Sequence, residues 1–423
     1  MPHCYEIAIL GAGVAGLTAA YRLRDRDVVV LEADSHVGGR TLSESFDDGN
    51  WANYAAQYVS ADKLKVIELA DELGLELIPK GSHSAELRSA MTPEQQRDMG
   101  PWLERLEAEM ANPRPADTPE LDQVSVAEWL EGAPAHVHDF FEGWCGSLLF
   151  GSTMETSLYG LMLVWGDQRT SAFTTEPVPR SNRGETVFRG GTNTFTKALA
   201  KASGAEIRQG QTVTRVMRGN DFCTIETKNS DKTASIRARQ VICALPGTIA
   251  RQVIEGLPTE KAAALANIRY GRNIATPISI LPEGQRGPDL VMVPSRHDAV
   301  YCSNGFVLKT PGDMDRDGGC FHCYIHDRYA RVVWDDDPRS IQSGALQAFR
   351  AAFPHLVDRV SRIGFRRWEN ALPHYHPGRM ADLAAFQASV GAVHFCGDYA
   401  WTSNMDGAAR SGEAAAEHAR AAL

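Results

Sequence analysis

Gly11-Ala-Gly13-Val-Ala-Gly16 stands between an apolar run, Tyr5 to Leu10, and a helical stretch, Leu17 to Arg24. A second apolar strand, Asp27 to Leu31, ends in Glu32. Strand, glycine turn, helix, strand and acidic residue follow one another in the order of a dinucleotide-binding unit. Gly11 permits the tight turn, Gly13 lets a pyrophosphate approach the backbone, and Gly16 allows the helix to pack closely on the strand. The helix N-terminus offers unpaired N–H groups and a partial positive charge to the phosphates. Glu32 can accept hydrogen bonds from both hydroxyls of an adenosine ribose and would repel a 2′-phosphate. Ala15, in the first helical turn, and Ala33, next to Glu32, complete this group of expected cofactor contacts. The motif alone does not separate NAD from FAD.

The next segment does. Asp34-Ser-His-Val-Gly38-Gly39-Arg40-Thr41 carries a second glycine pair followed by an arginine. With it the chain resembles the flavin amine oxidase superfamily, which includes amine and amino-acid oxidases, phytoene-type desaturases and protoporphyrinogen oxidases. The resemblance implies that this loop wraps an extended FAD, with Gly39 and Arg40 near the pyrophosphate and flavin edge, a contact suited to a guanidinium. Tyr54-Ala-Ala-Gln57-Tyr58 is similar to the family's G-A-Q-[YF] segment, with Ala55 in place of glycine. Arg189 to Phe195 opens a helix that leads to Ala205–Val216, read as one strand whose Val213 matches the position clasping the adenine. Val393-His-Phe-Cys-Gly397-Asp398 reads as a buried strand, and Asn404-Met405-Asp406-Gly407-Ala408 begins the last helix. By the resemblance, Asp398 accepts a hydrogen bond from a ribityl hydroxyl. The amides from Met405 to Ala408 face the flavin pyrimidine carbonyl, where a helix dipole stabilises the reduced, anionic ring.

Three positions bear on which bond is oxidised. Relatives that oxidise amines carry a lysine four residues beyond a turn glycine; in Ile268-Arg-Tyr-Gly271-Arg-Asn-Ile-Ala275 that place holds Ala275. They also place an aromatic residue directly before the final Met-[DE]-Gly-Ala, where this chain has Asn404, with Trp401 the nearest aromatic. Gly397-Asp398-Tyr399 is closer to the phytoene-type desaturases. The segment from Arg366 to Gly378 resembles W-x-x-A-x-P-x-Y-x-x-G, in which Trp368 and Tyr375 lie beside the flavin; it holds no cysteine, so the FAD is expected to be non-covalent. His374, Tyr375 and His376 are the titratable candidates for proton handling, because an ordinary imidazole titrates near pH 6.5. The alternative for the two histidines is a solvent-facing turn. The resemblance thus implies hydride transfer from a small organic substrate to flavin N5, with O2 or another electron acceptor. An amine or amino acid comes first, carbon–carbon desaturation second, and a redox-neutral isomerase or mutase third.

These residues need a scaffold. The expected class is α/β (α+β overall): a Rossmann-like FAD-binding domain from residues 1–80, 185–255 and 365–423, with an inserted mixed sheet-and-helix substrate domain from 81–184 and 256–364. A length of 423 residues suits two domains. Helices are expected at Thr259–Asn267 and from near Arg339, the latter capped by Asp335-Asp336-Asp337. Strand-like runs fall at Ala275–Leu281, Ala299–Lys309 and Gly319–Val333. The aromatics Phe140, Phe141, Trp144 and Phe150 read mainly as core, with some presented to substrate by a helical cap. Cys320-Phe-His322-Cys323 with His326 resembles a metal clip, but no second ligand pair follows at zinc-site spacing, so no metal is expected. A net charge of −10 argues against a nucleic-acid surface. No run reaches the roughly 18 apolar residues of a membrane span. Ile7 to Ala20 lacks the basic flank of a secretion signal, so a cytoplasmic location is expected.

Overall fold

The computed structural model describes residues 3–79, 92–111, 120–166, 186–281, 290–291, 306–308 and 319–423. Its principal strands, in chain order, are β1 (Cys4–Leu10), β2 (Val28–Leu31), β3 (Glu206–Arg208), β4 (Thr212–Arg218), β5 (Cys223–Asn229), β6 (Lys232–Cys243), β7 (Tyr270–Ala275), β8 (Ile278–Ile280), β9 (Gly319–His326), β10 (Val360–Ile363), β11 (Arg366–Pro373) and β12 (Val393–Phe395). The helices that frame the site are α1 (Val14–Arg22), α2 (Leu64–Glu72), α3 (Ala135–Trp144), α4 (Leu158–Gly166), α5 (Thr259–Asn267), α6 (Pro338–Ala352) and α7 (Met405–Ala421).

The first sheet runs β3-β2-β1-β6-β5-β4, and the end of β6 also pairs with β12. β1, β2, β6 and β12 are mutually parallel. Helices cover such a sheet on both faces, which is why Ile7–Leu10 and Val28–Leu31 are continuous apolar runs with no polar alternation. Val241, Ile242 and Cys243 pair with Val393, His394 and Phe395, which carries Gly397 and Asp398 to the same end of the sheet as the glycine turn. α1 packs against α7 so closely that a Cβ on Gly412 would lie 2.2 Å from the Ala15 carbonyl oxygen.

The second sheet is antiparallel, with β7 between β9 and β11, and β8 between β9 and β10. Its two faces have different partners. Phe321, Cys323 and Ile278 pack on Phe349 and Phe353 of the α6 layer. Ala275, Cys320 and Trp368 face Phe46, Tyr54 and Phe150. Cys320 and Cys323 therefore lie on opposite faces and do not converge, and among the described residues no group of three metal-ligating side chains forms. The helical insert closes over Phe141, with the Trp129 and Phe141 rings edge to face at 5.6 Å, and Trp144 is buried with its ring 4.7 Å from that of Trp165.

Several boundaries differ from expectation. β11, expected in the cofactor unit, is a strand of the second sheet, and α5, expected in the substrate unit, packs Ala264 and Leu265 on the first. There the Lys261 ammonium donates to the carbonyls of Ala385, Phe386 and Ala388 at 2.7–2.8 Å, matching its three N–H donors. Pro277, which has no N–H to give a ladder, separates β7 from β8 in the run read as one strand. Gly210, at φ 67°, breaks Ala205–Val216 into β3 and β4. β9 stops at His326, and Asp327–Val332 is a helix braced by an Asp327–Arg331 pair one turn apart. The run Ala299–Lys309 is described only at Phe306–Leu308, a strand beside β9. Asp337 caps α6 as expected, accepting from the amides of Arg339 and Ser340.

Candidate functional site

The glycine turn has the shape its letters imply. Gly11 sits at φ 97°, and a Cβ on Gly16 would be 2.0 Å from the Gly11 carbonyl oxygen. Gly13 is the uncapped N-terminus of α1, and the first intrahelical bond runs from Leu17 N–H to its carbonyl. The amides of Val14, Ala15 and Gly16 precede that bond and point out of the helix end. A Cβ on Gly13 would meet nothing within 4 Å, whereas one on Gly39 would lie 3.7 Å from the Gly13 Cα, so the two glycine segments border one open space. Glu32 accepts from the amides of Ala12 (2.7 Å) and Asp34 (2.9 Å), leaving lone pairs on both oxygens; Ala33 beside it is exposed. Val213, on β4, is buried across from Thr227.

Arg40 and Asp398 meet each other. Two guanidinium nitrogens donate to the two carboxylate oxygens at 2.7 and 2.9 Å, and one of them also reaches the Ala371 carbonyl of β11. This fork ties the first sheet to the second. Gln57 is buried, donating to the Asn53 carbonyl and meeting His322 Nδ1 at 3.3 Å; its carboxamide oxygen has no donor. Tyr58 next to it is half-buried. The Trp368 indole donates to the Tyr54 carbonyl, and Tyr324 donates to that of Ala55, so segment 54–58 lies over the face containing Ala275.

At the C-terminal end Gly397, at φ 149°, accommodates the Tyr399 ring, which is 1% exposed. The Asn404 carboxamide oxygen accepts from the Gly407 amide and caps α7. Asp406 accepts from the amides of Lys65 and Val66 and so caps α2, while also pairing with Arg410. Sequence reasoning assigned neither cap. Met405 is half-buried and Ala408 buried. Trp401, 38% exposed, stays out of the cluster around Ala275.

The residues from His374 to His376 are not on a solvent-facing turn. His374 is 5% exposed, its Nε2 is 3.2 Å from Thr156 Oγ1, and burial pushes its pKa down to about 4. Tyr375 accepts from the Ser403 amide through its hydroxyl, stacks under Arg379, and packs its Cβ against Gly160 of α4. The His376 ring nitrogens lie 2.9 Å from the carbonyls of Asn267 and Pro377, and burial lowers its pKa. His374 and Tyr375 bind the strand exit to the helical insert, and His376 binds it to the end of α5. Of the four catalytic candidates, Trp368 alone belongs to the cluster around Ala275.

These residues fit a flavin dinucleotide: open space at Gly13, free first-turn amides on α1, a carboxylate at the ribose position, and an orphaned acceptor at Gln57. Residues 14–420 match the family model described as flavin containing amine oxidoreductase. A putrescine oxidase of Kocuria rosea is 34% identical over 147 residues, 30% of this chain and 30% of that protein. Amine oxidase A of Bos taurus is 23% identical over 466 aligned positions, covering 99% of the chain and 85% of that protein. The solved structure of a cyclohexylamine oxidase from Brevibacterium oxydans superposes with a TM-score of 0.78 at 22% identity, covering 99% of each chain, which shows a shared fold.

Proposed function

Because the chain belongs to the family of flavin-containing amine oxidoreductases, we propose that it oxidises a small organic amine with non-covalently held FAD and passes the electrons to O2. The observation that carries this reading is the Asn404 cap. An asparagine where amine-oxidising relatives have an aromatic was, with Ala275 and Gly397-Asp398-Tyr399, one of three signs of different chemistry, and here it has a local cause, since asparagine is among the best N-cap residues. Tyr399, the other desaturase-like letter, is likewise core, packed against Gly397. Neither letter speaks for carbon–carbon desaturation.

FAD, when bound, supplies the two-electron acceptor for the hydride on the carbon next to nitrogen. The chain supplies the rest. The α1 amides and Arg40 would hold the pyrophosphate, Glu32 would hold the adenosine ribose, and the Met405 and Asp406 amides of α7, left over once Asn404 takes that of Gly407, would serve the pyrimidine carbonyl. Ala275, Tyr324 and Trp368 form the substrate side. His374 and Tyr375 act as positioning residues that lock the insert over that side, and His376 ties the same turn to the end of α5. With alanine at position 275 the chain offers no lysine there to take the proton from the substrate nitrogen, which would leave it to solvent.

The test is peroxide formation by FAD-loaded protein against monoamines, diamines and amino acids. Turnover of any of them supports the reading. Silence across the set, with O2 or with a quinone as acceptor, from protein with one FAD per chain would overturn it, and amine turnover only with the quinone would overturn O2 as the acceptor.

A further inference from the structure

Among the described residues only Phe150 and Ser230 hold a positive φ without being glycine, and Phe150, at φ 58°, is the bulky one. Left-handed backbone is unfavourable for a large side chain, so its surroundings must impose it. Phe150 follows a single π-turn, Cys145–Leu149, a distortion common at functional sites. Two glycines then pin it. A Cβ on Gly271 of β7 would lie 2.5 Å from the Phe150 Cβ, and one on Gly151 would run into the His374 ring. The Phe150 ring rests 4.6 Å from the His326 ring, tilted by 39°. Burial pushes the His326 pKa down to about 3, so this support is neutral at physiological pH.

The ring is therefore held over the sheet face that carries Ala275 and Trp368. Those two are buried, whereas Phe150 keeps part of its surface exposed. Tyr324 pairs with Ala275 across β9 and is also half-buried, so the two aromatics flank the alanine. We propose that Phe150 is the specificity-determining wall of the substrate site, packing against the apolar ring of an amine and replacing the aromatic that is absent at position 404. This rests on the amine-oxidising reading for the identity of the reacting group, but not for the recognition of the ring. His374 takes a defined part here: through Gly151 it positions Phe150.

The experiment compares FAD-loaded wild type, Phe150→Ala and Phe150→Tyr with benzylamine and ethylamine. In Phe150→Ala the ratio of kcat/KM for benzylamine over ethylamine is expected to fall at least tenfold, through KM, because a ground-state contact has been removed. Phe150→Tyr is expected to keep the ratio within about threefold, since the ring is retained. An unchanged ratio in Phe150→Ala, or an equal loss for both amines, would overturn the proposal; Phe150→Leu replaces the alanine variant if that one fails to retain FAD. Benzyl alcohol separates this proposal from the amine reading. If no amine turns over, the wall still stands provided that benzyl alcohol perturbs the flavin absorption of wild type and Phe150→Tyr and binds at least tenfold more weakly to Phe150→Ala. Equal dissociation constants in all three proteins, or no binding to wild type, would remove it.

Discussion

Arg40→Gln tests the link between the two sheets at the cofactor site. The wild-type fork has two charge-assisted hydrogen bonds, at 2.7 and 2.9 Å. Asp398 keeps only 6% of its side chain exposed and Arg40 32%. Removing one member of a wholly buried pair costs about 3–5 kcal/mol, mostly because the partner charge is left buried alone. Here solvent reaches the guanidinium, so the lower end applies, and Arg40→Gln should destabilise the apoprotein by about 3 kcal/mol. Asp398→Asn leaves the more exposed partner behind and should cost about 2 kcal/mol. The double variant leaves no orphaned charge. It should therefore be no worse than Arg40→Gln alone, a coupling of about 2 kcal/mol in a double-mutant cycle. Urea denaturation of the four apoproteins, followed by tryptophan fluorescence, measures this. A cost below about 1 kcal/mol for Arg40→Gln, or simple additivity in the double variant, would refute the reasoning. The same variant should bind FAD at least about tenfold more weakly if, as proposed, Arg40 is the cation that meets the pyrophosphate.

Gly16→Ala places a methyl group 2.0 Å from a backbone oxygen, which has no room to yield. Protein without flavin and with a Tm lowered by many degrees is expected, and a near-native Tm with full FAD content would contradict the close-packing argument. Glu32→Gln keeps one acceptor but turns an NH2 group toward an amide donor, so FAD affinity by fluorescence titration should weaken by about tenfold. For His374 the folded pKa, about 4, lies below the ordinary 6.5, so the unfolded chain binds the extra proton first as pH falls. Stability should drop between pH 6.5 and 4, by about 3 kcal/mol from this group, and His374→Gln should flatten that part of the profile. Asn404→Ala should lose about 1 kcal/mol of stability while Asn404→Asp holds it, as expected of a cap; equal losses would point to another role.

The cofactor half of the molecule was legible because its chemistry sits in local backbone geometry. A tight turn, a close helix crossing and an acid at a strand end are short-range features, and Gly11, Gly16 and Glu32 stand where their spacing places them. The substrate half was harder to read because its decisive contacts join distant segments. Nothing near Phe150 in the sequence announces that it lies against Gly271 and His326. The turn at His374–His376 looks polar and exposed until α4 and the chain after α5 close over it. Gly210 and Pro277 marked breaks in runs that were read as single strands, while β11 joined the second sheet through a pairing with β7 that one sequence does not reveal.

The start of α7 shows why single letters at a motif are poor guides to substrate. Asn404 caps its own helix, Asp406 caps α2, and Gly407 leaves room for the Thr402 carbonyl oxygen, against which a Cβ would lie at 2.1 Å. All three choices serve the scaffold, and with the Gly407 amide taken by Asn404 the backbone N–H groups left at the helix end are those of Met405 and Asp406. An aromatic at position 404 would have to give up the cap, so the helix and the substrate cannot both draw on that side chain. In this chain the helix has it, and an aromatic wall has to be built from elsewhere. The strained backbone at Phe150 is where the structure bears the cost of building it.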